Sequence, residues 1–212
     1  MPLRIKILYI VLIILFFVPF VAWQIYFLKY SFGIDLFAKV ILPEGYCKDC
    51  NVILISLDSL RAKSLPCYGY EKNTSPNLCE FAKKSFLFKR VYTPSSKTLD
   101  SHFSIFTGLY PKSHGVNVPF TSVLDKKIRT LPQIVESNGY ATLFSGPLID
   151  PHLPLDRGFE RGFRYKEYGD EPRFWFDNMK KYGLLGRKFF AFLHTYDVHE
   201  PYIPNTVHIK LF

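Results

Sequence analysis

Short apolar runs alternate with helical patterns along most of the chain. Runs of β-branched and aromatic residues predict strands at 51–57 (NVILISL), 86–92 (FLFKRVY), 140–144 (YATLF) and 188–193 (KFFAFL). Apolar periodicity and helix-start signals predict helices at 75–84, 98–106, 131–137 and 171–181. Strands that alternate with helices are typical of an α/β fold with a mostly parallel sheet.

A longer apolar block lies at the amino terminus. Residues 7–28 comprise 22 amino acids with no charge among them, and a helix needs about 20 apolar residues to cross a bilayer core. Because Arg4 and Lys6 precede the block, we predict a single transmembrane helix over 7–28, with residues 1–6 in the cytoplasm. Residues 29–50 would connect it to an extracytoplasmic domain over 51–212. The alternative is a cleaved signal peptide, whose apolar region is usually shorter and ends at a small-residue cleavage site.

The charge balance narrows the possible partners. The formal net charge is +9, but the positive residues are spread out and form no run of the length typical of nucleic-acid-binding arms. We therefore expect no nucleic acid partner. The charge favours an anionic membrane surface or an anionic substrate, and a role in solubility alone is the alternative.

The four cysteines allow several interpretations. Cys47 and Cys50 form a CKDC pair after the apolar block, and an extracytoplasmic setting favours a disulfide between them. A CxxC pair can also be redox-active or supply half of a zinc site. Cys67 and Cys79 are expected to be buried or paired.

Three residues that carry chemistry fall at one expected edge of the sheet. Asp58 directly follows the first strand, and its carboxylate suits a hard divalent cation. Thr98 begins a helix, where free N–H groups favour an anionic group and a hydroxyl can act as a nucleophile. His199 follows the last strand and could protonate a leaving oxygen or hold an anion. The simpler alternatives are a helix cap for Thr98, a turn for Asp58 and a structural role for His199.

Five ordered blocks carry a family resemblance between Asn51 and about Pro204. They are NVILISLDSLRAKSLPCYGY with TSPNL, TPSSKTLDSHFSIFTGLYPKSHGV, GYATLFSG, DRGFERGF and FFAFLHTYDVHEPYIP. In this order they resemble the sulfatase family of the alkaline-phosphatase superfamily. The resemblance implies a three-layer α/β/α fold and metal-assisted attack on sulfate or phosphate esters. It also implies that Asp58 binds the metal, that Thr98 is the nucleophile and a metal ligand, and that His199 contacts the transferred group.

The sequence departs from the family pattern at several positions. Sulfatases have a cysteine or serine at the nucleophile position, which is oxidised to formylglycine, and threonine cannot give that aldehyde. His102 replaces the arginine four positions later, so we assign it to substrate binding, and Ser59 replaces the second acidic residue. Neither residue of the Lys-x-His block is present near 146–148. The threonine within K-T-x-D-S is similar to that of membrane-anchored phosphoethanolamine and phosphoglycerol transferases.

The family places further metal ligands well after the last block, where this sequence has no counterpart. Asp177-Asn178 falls in a predicted helix and is a poor substitute. We therefore expect the alkaline-phosphatase-like sheet to be incomplete at its carboxyl end. The chain would then be part of a longer protein, one half of a split enzyme or a decayed copy.

Several functions are consistent with these observations. The first is a membrane-anchored hydrolase of sulfate or phosphate esters that uses a divalent metal ion (Ca, Mg, Mn or Zn). A transferase acting on lipid or glycan head groups is its alternative. A catalytically inactive anchored binding module is a second hypothesis, and a thiol-redox protein based on CKDC is a third.

Overall fold

The computed structural model describes residues 15–27, 47, 49–116, 122–147, 160–169 and 171–202. The chain divides into two compact units, Met1–Tyr46 and Cys47–Phe212. In the first unit, residues 15–27 form helix α1, whose apolar side chains are largely exposed. Within the described ranges, no helix has the length and hydropathy to cross a membrane. The predicted span also includes residues 7–14 and 28, which lie outside those ranges, so the span stays a prediction.

A parallel four-stranded sheet forms the centre of the second unit. Its strands are β1 (Val52–Leu57), β2 (Ala141–Gly146), β3 (Tyr165–Tyr168) and β4 (Phe189–Thr195). They lie in the order β1-β4-β2-β3, and every neighbouring pair is parallel. The carboxyl ends of the four strands therefore meet at one edge, where ligands bind in sheets of this kind.

The two middle strands differ in burial from the first edge strand. β2 and β4 are buried along their whole length, as expected of strands covered on both faces. β1 has one partner strand in the described sheet, β4. Four apolar side chains of β1 are 38–52% exposed: Val52, Ile53, Ile55 and Leu57. β1 is thus an apolar edge of this sheet.

Five helices belong to the described part of the second unit. They are α2 (Pro76–Ala82), α3 (Thr98–Thr107), α4 (Pro111–His114), α5 (Leu131–Ser137) and α6 (Trp175–Lys181). α3 ends at Gly108, whose φ of 70° is the left-handed conformation that favours glycine after a helix. Gly139 follows the end of α5 and adopts the same left-handed conformation, with a φ of 83°.

The side chains of β4 alternate between two hydrophobic cores. One core contains Phe190 and Phe192 of β4 together with Phe103 and Phe106 of α3. The other contains Phe189, Ala191 and Leu193 of β4 together with Leu143, Met179 and Leu184. Because successive residues of a strand point to opposite faces, α3 and α6 cover opposite sides of the sheet. The predicted layers of helix, sheet and helix follow from this alternation.

Both pairs of cysteines are joined as disulfides. Cys47 is bonded to Cys50, and Cys67 is bonded to Cys79. The second disulfide connects a short 3-10 helix, Pro66–Tyr68, to α2. The prediction that Cys67 and Cys79 are buried or paired is therefore confirmed.

The strand predicted at 86–92 is wrong. Its apolar side chains are 69–85% exposed at Phe86, Phe88, Val91 and Tyr92, and the segment pairs with no strand of the described sheet. It is held instead by side chains, because the Tyr68 hydroxyl donates to the Phe88 carbonyl at 3.0 Å. The alternation of residues along 86–92 is typical of a strand with one buried face, but a strand also needs a ladder of backbone hydrogen bonds.

Several other elements also differ from the predictions. The helix predicted over 171–181 divides into a 3-10 helix, Pro172–Phe174, and α6, and β2 extends to Gly146. β3 falls between the predicted strand at 140–144 and the predicted helix at 171–181, where no strand was predicted, because its four residues alternate too briefly to stand out. β4 continues two residues past its predicted end, so that His194 and Thr195 belong to the strand.

Candidate active site

Asp58 lies at the carboxyl end of β1, as predicted. Its N–H donates to the carbonyl of Thr195 at 3.1 Å and extends the ladder with β4 by one residue. Ser59 then turns the chain with a φ of 60°, which is unusual for a residue other than glycine. The Ser59 hydroxyl donates to Asp58 Oδ1 at 3.0 Å. The backbone and this neighbour thus fix a carboxylate that is 12% exposed.

Thr98 is the first residue of α3. The preceding Lys97 is extended, and its N–H donates to Ser95 Oγ at 3.1 Å, which shapes the entry into the helix. The Thr98 hydroxyl donates to Asp58 Oδ2 at 2.9 Å, across 40 residues of sequence. Two of the predicted site residues therefore form a direct contact at the edge of the sheet. Thr98 also stands beside the free N–H groups of the first turn of a ten-residue helix.

His102 lies one turn further along α3 and is 4% exposed. Its Nδ1 lies 2.7 Å from the Thr98 carbonyl oxygen, and its Nε2 lies 2.9 Å from Ser56 Oγ. Burial lowers the pKa of His102 below its usual value, against smaller opposing effects of the Thr98 carbonyl and Asp58. Both ring nitrogens are engaged inside the protein, which favours a role in positioning over the predicted direct contact with substrate.

His194 is a site residue that sequence reasoning missed. The register of β1 and β4 pairs it with Ser56, so both side chains lie on the α3 face of the sheet. Its ring is fully buried and packs edge-on against His102 with 4.8 Å between ring centroids. Its Nε2 lies 3.9 Å from Asp58 Oδ2. A histidine that ends the otherwise apolar run FFAFL was the signal that could have revealed it.

His199 lies beyond β4 on the same edge but does not join the Asp58 and Thr98 contact. Its N–H donates to the Tyr196 carbonyl at 2.8 Å, and its Nδ1 donates to the Glu200 carbonyl at 2.6 Å. In the described part of the chain, no hydrogen bond connects it to Asp58 or Thr98. Nε2 is the ring nitrogen that remains for a substrate, and its predicted role stays a prediction.

A groove of about 820 Å³ opens beside this edge. One side is formed by Ser59 and Arg61 after β1, and another by Asp197 and Tyr202 after β4. The segment 74–78 forms the third side. This volume lies in the range of small-molecule sites, so the edge has room for the organic part of a substrate.

Asp58 and Thr98 supply two oxygen atoms of the kind that hard divalent cations prefer. In the parts of the chain that the structure describes, no group of three histidine, cysteine, aspartate or glutamate residues is placed to hold a metal ion. Asp177 and Asn178 lie in α6, where Asn178 donates to Ser145 Oγ at 3.0 Å, and the Asp177 side chain is 68% exposed beside Lys180. The oxygen pair therefore fits part of a metal site, and further ligands would have to complete it.

Gly146 lies at the end of β2, where the Lys-x-His block would begin, and β4 leaves no room there for a side chain. A Cβ atom at this position would lie 2.7 Å from the His194 carbonyl oxygen and 2.8 Å from the His194 Cβ. Such distances are too short for real atoms, so β2 and β4 approach here at a spacing that only glycine permits.

A sequence model of the sulfatase family matches residues 50–208. The chain belongs to the sulfatase family. The sulfatase match extends over all four strands and includes Asp58, Thr98 and His199. Human iduronate 2-sulfatase is similar, with 35% identity over 106 residues that cover 49% of this chain and 19% of that protein. The chain spans about a fifth of the length of the curated sulfatases that it matches.

Solved structures agree with this sulfatase fold. Phosphonate monoester hydrolase of Agrobacterium radiobacter superposes with a TM-score of 0.60 and 19% identity, over 76% of this chain and 44% of that one. The C-terminal periplasmic domain of EcEptC from Escherichia coli, in complex with Zn, gives a TM-score of 0.54 and 18% identity, over 73% and 46%. The predicted family and the parallel α/β sheet are confirmed.

Proposed function

We propose that this chain supplies the nucleophile of an enzyme that cleaves sulfate or phosphate esters. The contact between Thr98 and Asp58 at the carboxyl edge of the sheet carries the proposal. A role of Thr98 as a helix cap does not account for this contact. The Thr98 hydroxyl donates to a carboxylate on another element instead of accepting from its own helix.

The chain's own groups suggest how the reaction would run. Thr98 Oγ1 would attack sulfur or phosphorus as its proton passes to Asp58. N–H groups in the first turn of α3 would face the negative oxygens of the transferred group. The bond to the leaving oxygen would break, and a protonated His199 would give that oxygen its proton. Water would then release the group from Thr98 in a hydrolase, or an acceptor alcohol would take it in a transferase.

A divalent cation is part of this proposal. Asp58 and Thr98 would each give it an oxygen, and the remaining ligands would come from polypeptide outside the described residues. When bound, the cation would lower the pKa of the Thr98 hydroxyl and stabilise its anionic form.

A transferase of lipid or glycan head groups is the second candidate. Thr98 itself favours it, since a threonine can form an ester with the transferred group but cannot give the formylglycine of sulfatases. The uncharged block over 7–28 supports work at a membrane surface, and the two disulfides support an extracytoplasmic domain.

Turnover of p-nitrophenyl phosphate and p-nitrophenyl sulfate, with Mg, Mn, Ca or Zn added, tests the proposal. The assay compares the native polypeptide that contains this chain with its Thr98→Ala, Thr98→Ser and Asp58→Asn variants. Thr107→Ala is the matched control, because it makes the same substitution at the far end of α3. Mass spectrometry of the quenched reaction locates any phosphoryl or sulfo group on the chain.

We expect Thr98→Ala to abolish turnover and the covalent adduct, and Thr98→Ser to retain part of both. Asp58→Asn should lower turnover by roughly a hundredfold or more, as losses of general-base catalysis typically do. Full turnover in Thr98→Ala, or an adduct on another residue, would overturn the proposal. Transfer of the group to added glycerol, in preference to water, would favour the transferase.

A further inference from the structure

We propose that Ser56 and His102 act together to position the nucleophile. This inference rests on the proposed function of Thr98. Two contacts connect β1 to α3: Asp58 with Thr98 is the outer pair, and Ser56 with His102 is the inner pair. In this arrangement, the inner pair fixes the register of α3 against β1, and that register places the Thr98 hydroxyl on Asp58.

The spacing of the four residues supports this role. Ser56 and Asp58 are two residues apart in an extended segment, which separates them by roughly 6.6 Å on the same face. Thr98 and His102 are four residues apart on a helix, which separates them by about 6 Å along its axis. Because the two spacings are nearly equal, both contacts form at once, and a slip of α3 by one residue would break both.

The hydrogen-bond chemistry gives His102 a definite orientation. The Thr98 carbonyl oxygen can only accept, so Nδ1 carries the proton and donates to it. In the neutral ring, Nε2 then accepts from the Ser56 hydroxyl. One imidazole thus connects the backbone of the nucleophile to the strand that carries Asp58.

Packing holds the ring in that orientation. His194 packs edge-on against His102 at 4.8 Å, and Phe192 does so at 5.5 Å. The ring of the inner pair is the most buried of the four side chains, since His102 is 4% exposed whereas Ser56, Asp58 and Thr98 are each only partly buried. A buried contact loses less to competition with water, so the inner pair is the better placed to hold the register.

Three variants of the full chain separate the inner pair from the rest of the fold. Ser56→Ala removes one oxygen atom of the pair. His102→Asn keeps a donor for the Thr98 carbonyl but no longer reaches Ser56. His102→Gln reaches Ser56 but not the Thr98 carbonyl. Ser104→Ala is the control, because Ser104 also lies on α3 and contacts another buried histidine, His114, at 3.1 Å.

Two measurements are made on each variant. Three-bond carbon–nitrogen and carbon–carbon couplings report the side-chain rotamer of Thr98 by NMR and need no substrate. Steady-state turnover of p-nitrophenyl phosphate gives kcat and KM separately. Circular dichroism checks that each variant is folded, and Ser56→Ala alone keeps the test decisive if His102→Asn does not fold.

We expect one Thr98 rotamer in the wild type, His102→Gln and Ser104→Ala, and averaged couplings in Ser56→Ala and His102→Asn. Those last two variants should lose roughly ten- to a hundredfold in kcat with KM little changed, because small displacements of a reacting group are costly. A single Thr98 rotamer in both Ser56→Ala and His102→Asn would overturn the inference. Averaged Thr98 couplings in Ser104→Ala or in His102→Gln would overturn it as well. If the wild type cleaved no ester but the rotamers followed this pattern, the proposed function would fail and the positioning role would stand.

Discussion

The disulfide between Cys67 and Cys79 should be a major source of stability in the second unit. Its cysteines are 12 residues apart in sequence, and a cross-link that closes a loop of this size stabilises the folded chain by about 3 kcal/mol. Replacing both cysteines by serine should therefore lower the free energy of unfolding by that amount. In a chain of this length, the corresponding fall in Tm is roughly 6–12 °C.

The disulfide between Cys47 and Cys50 provides a matched control. Its cysteines are only three residues apart, and because the loop term depends on the logarithm of the length, removing it should cost about 1 kcal/mol less. Urea unfolding of both double-serine variants in mild detergent, followed by far-ultraviolet circular dichroism, measures the difference. Equal losses in the two variants would refute the loop-entropy argument.

The same disulfide also bears on the groove. The segment 74–78, which forms one side of the groove, lies between Cys67 and Cys79. Without the cross-link we expect faster proteolytic cleavage within residues 68–78, since a released loop opens locally at low cost. Cleavage at the wild-type rate would show that packing alone holds this side.

Three more predictions follow from the fold and its surface. Gly146→Ala should destabilise the chain by roughly 1–3 kcal/mol and shift the NMR signals of His194, because the added Cβ meets the backbone of β4; unchanged His194 signals would contradict it. Contacts with Lys181 and Tyr182 lower the pKa of Glu167 below its usual 4.5, so its contribution to stability is present above pH 4.5 and is lost as the pH falls through the lower, folded value. Glu167→Gln should therefore match the wild type in acid and be less stable near neutral pH, and a constant difference at every pH would refute this. The chain should stay in membranes after an alkaline wash, and protease added outside intact cells should digest residues 47–212; release by the wash or full protection would contradict the predicted anchor.

The sequence predicted best the strands that are buried on both faces and the helix that ends at a glycine. β4 and β2 show continuous apolar runs because helices cover both faces of the sheet. α3 was bounded by a polar cluster and Gly108, and it forms within one residue of the predicted bounds. The placement of Asp58 and Thr98 at the same edge followed from topology, since strand ends of a parallel sheet share one edge.

Other parts depend on tertiary contacts that no local pattern records. The segment 86–92 has residues that favour strands. Those residues alone do not determine whether a neighbouring strand is available to pair with its backbone. The predicted strand ended at Leu193, one residue before His194, whose buried ring packs against His102. The position of His102 suggested substrate binding, and only the packing of α3 against β1 brings it to Ser56.

The apolar edge formed by β1 has a practical consequence for work with the second unit alone. Backbone groups along such an edge can add a strand from another molecule, and exposed isoleucines such as Ile53 and Ile55 strengthen that pairing. Preparations of residues 47–212 should therefore form oligomers as their concentration rises. Kinetic work on them belongs at high dilution, or with a lysine introduced at Ile53 to keep the molecules apart.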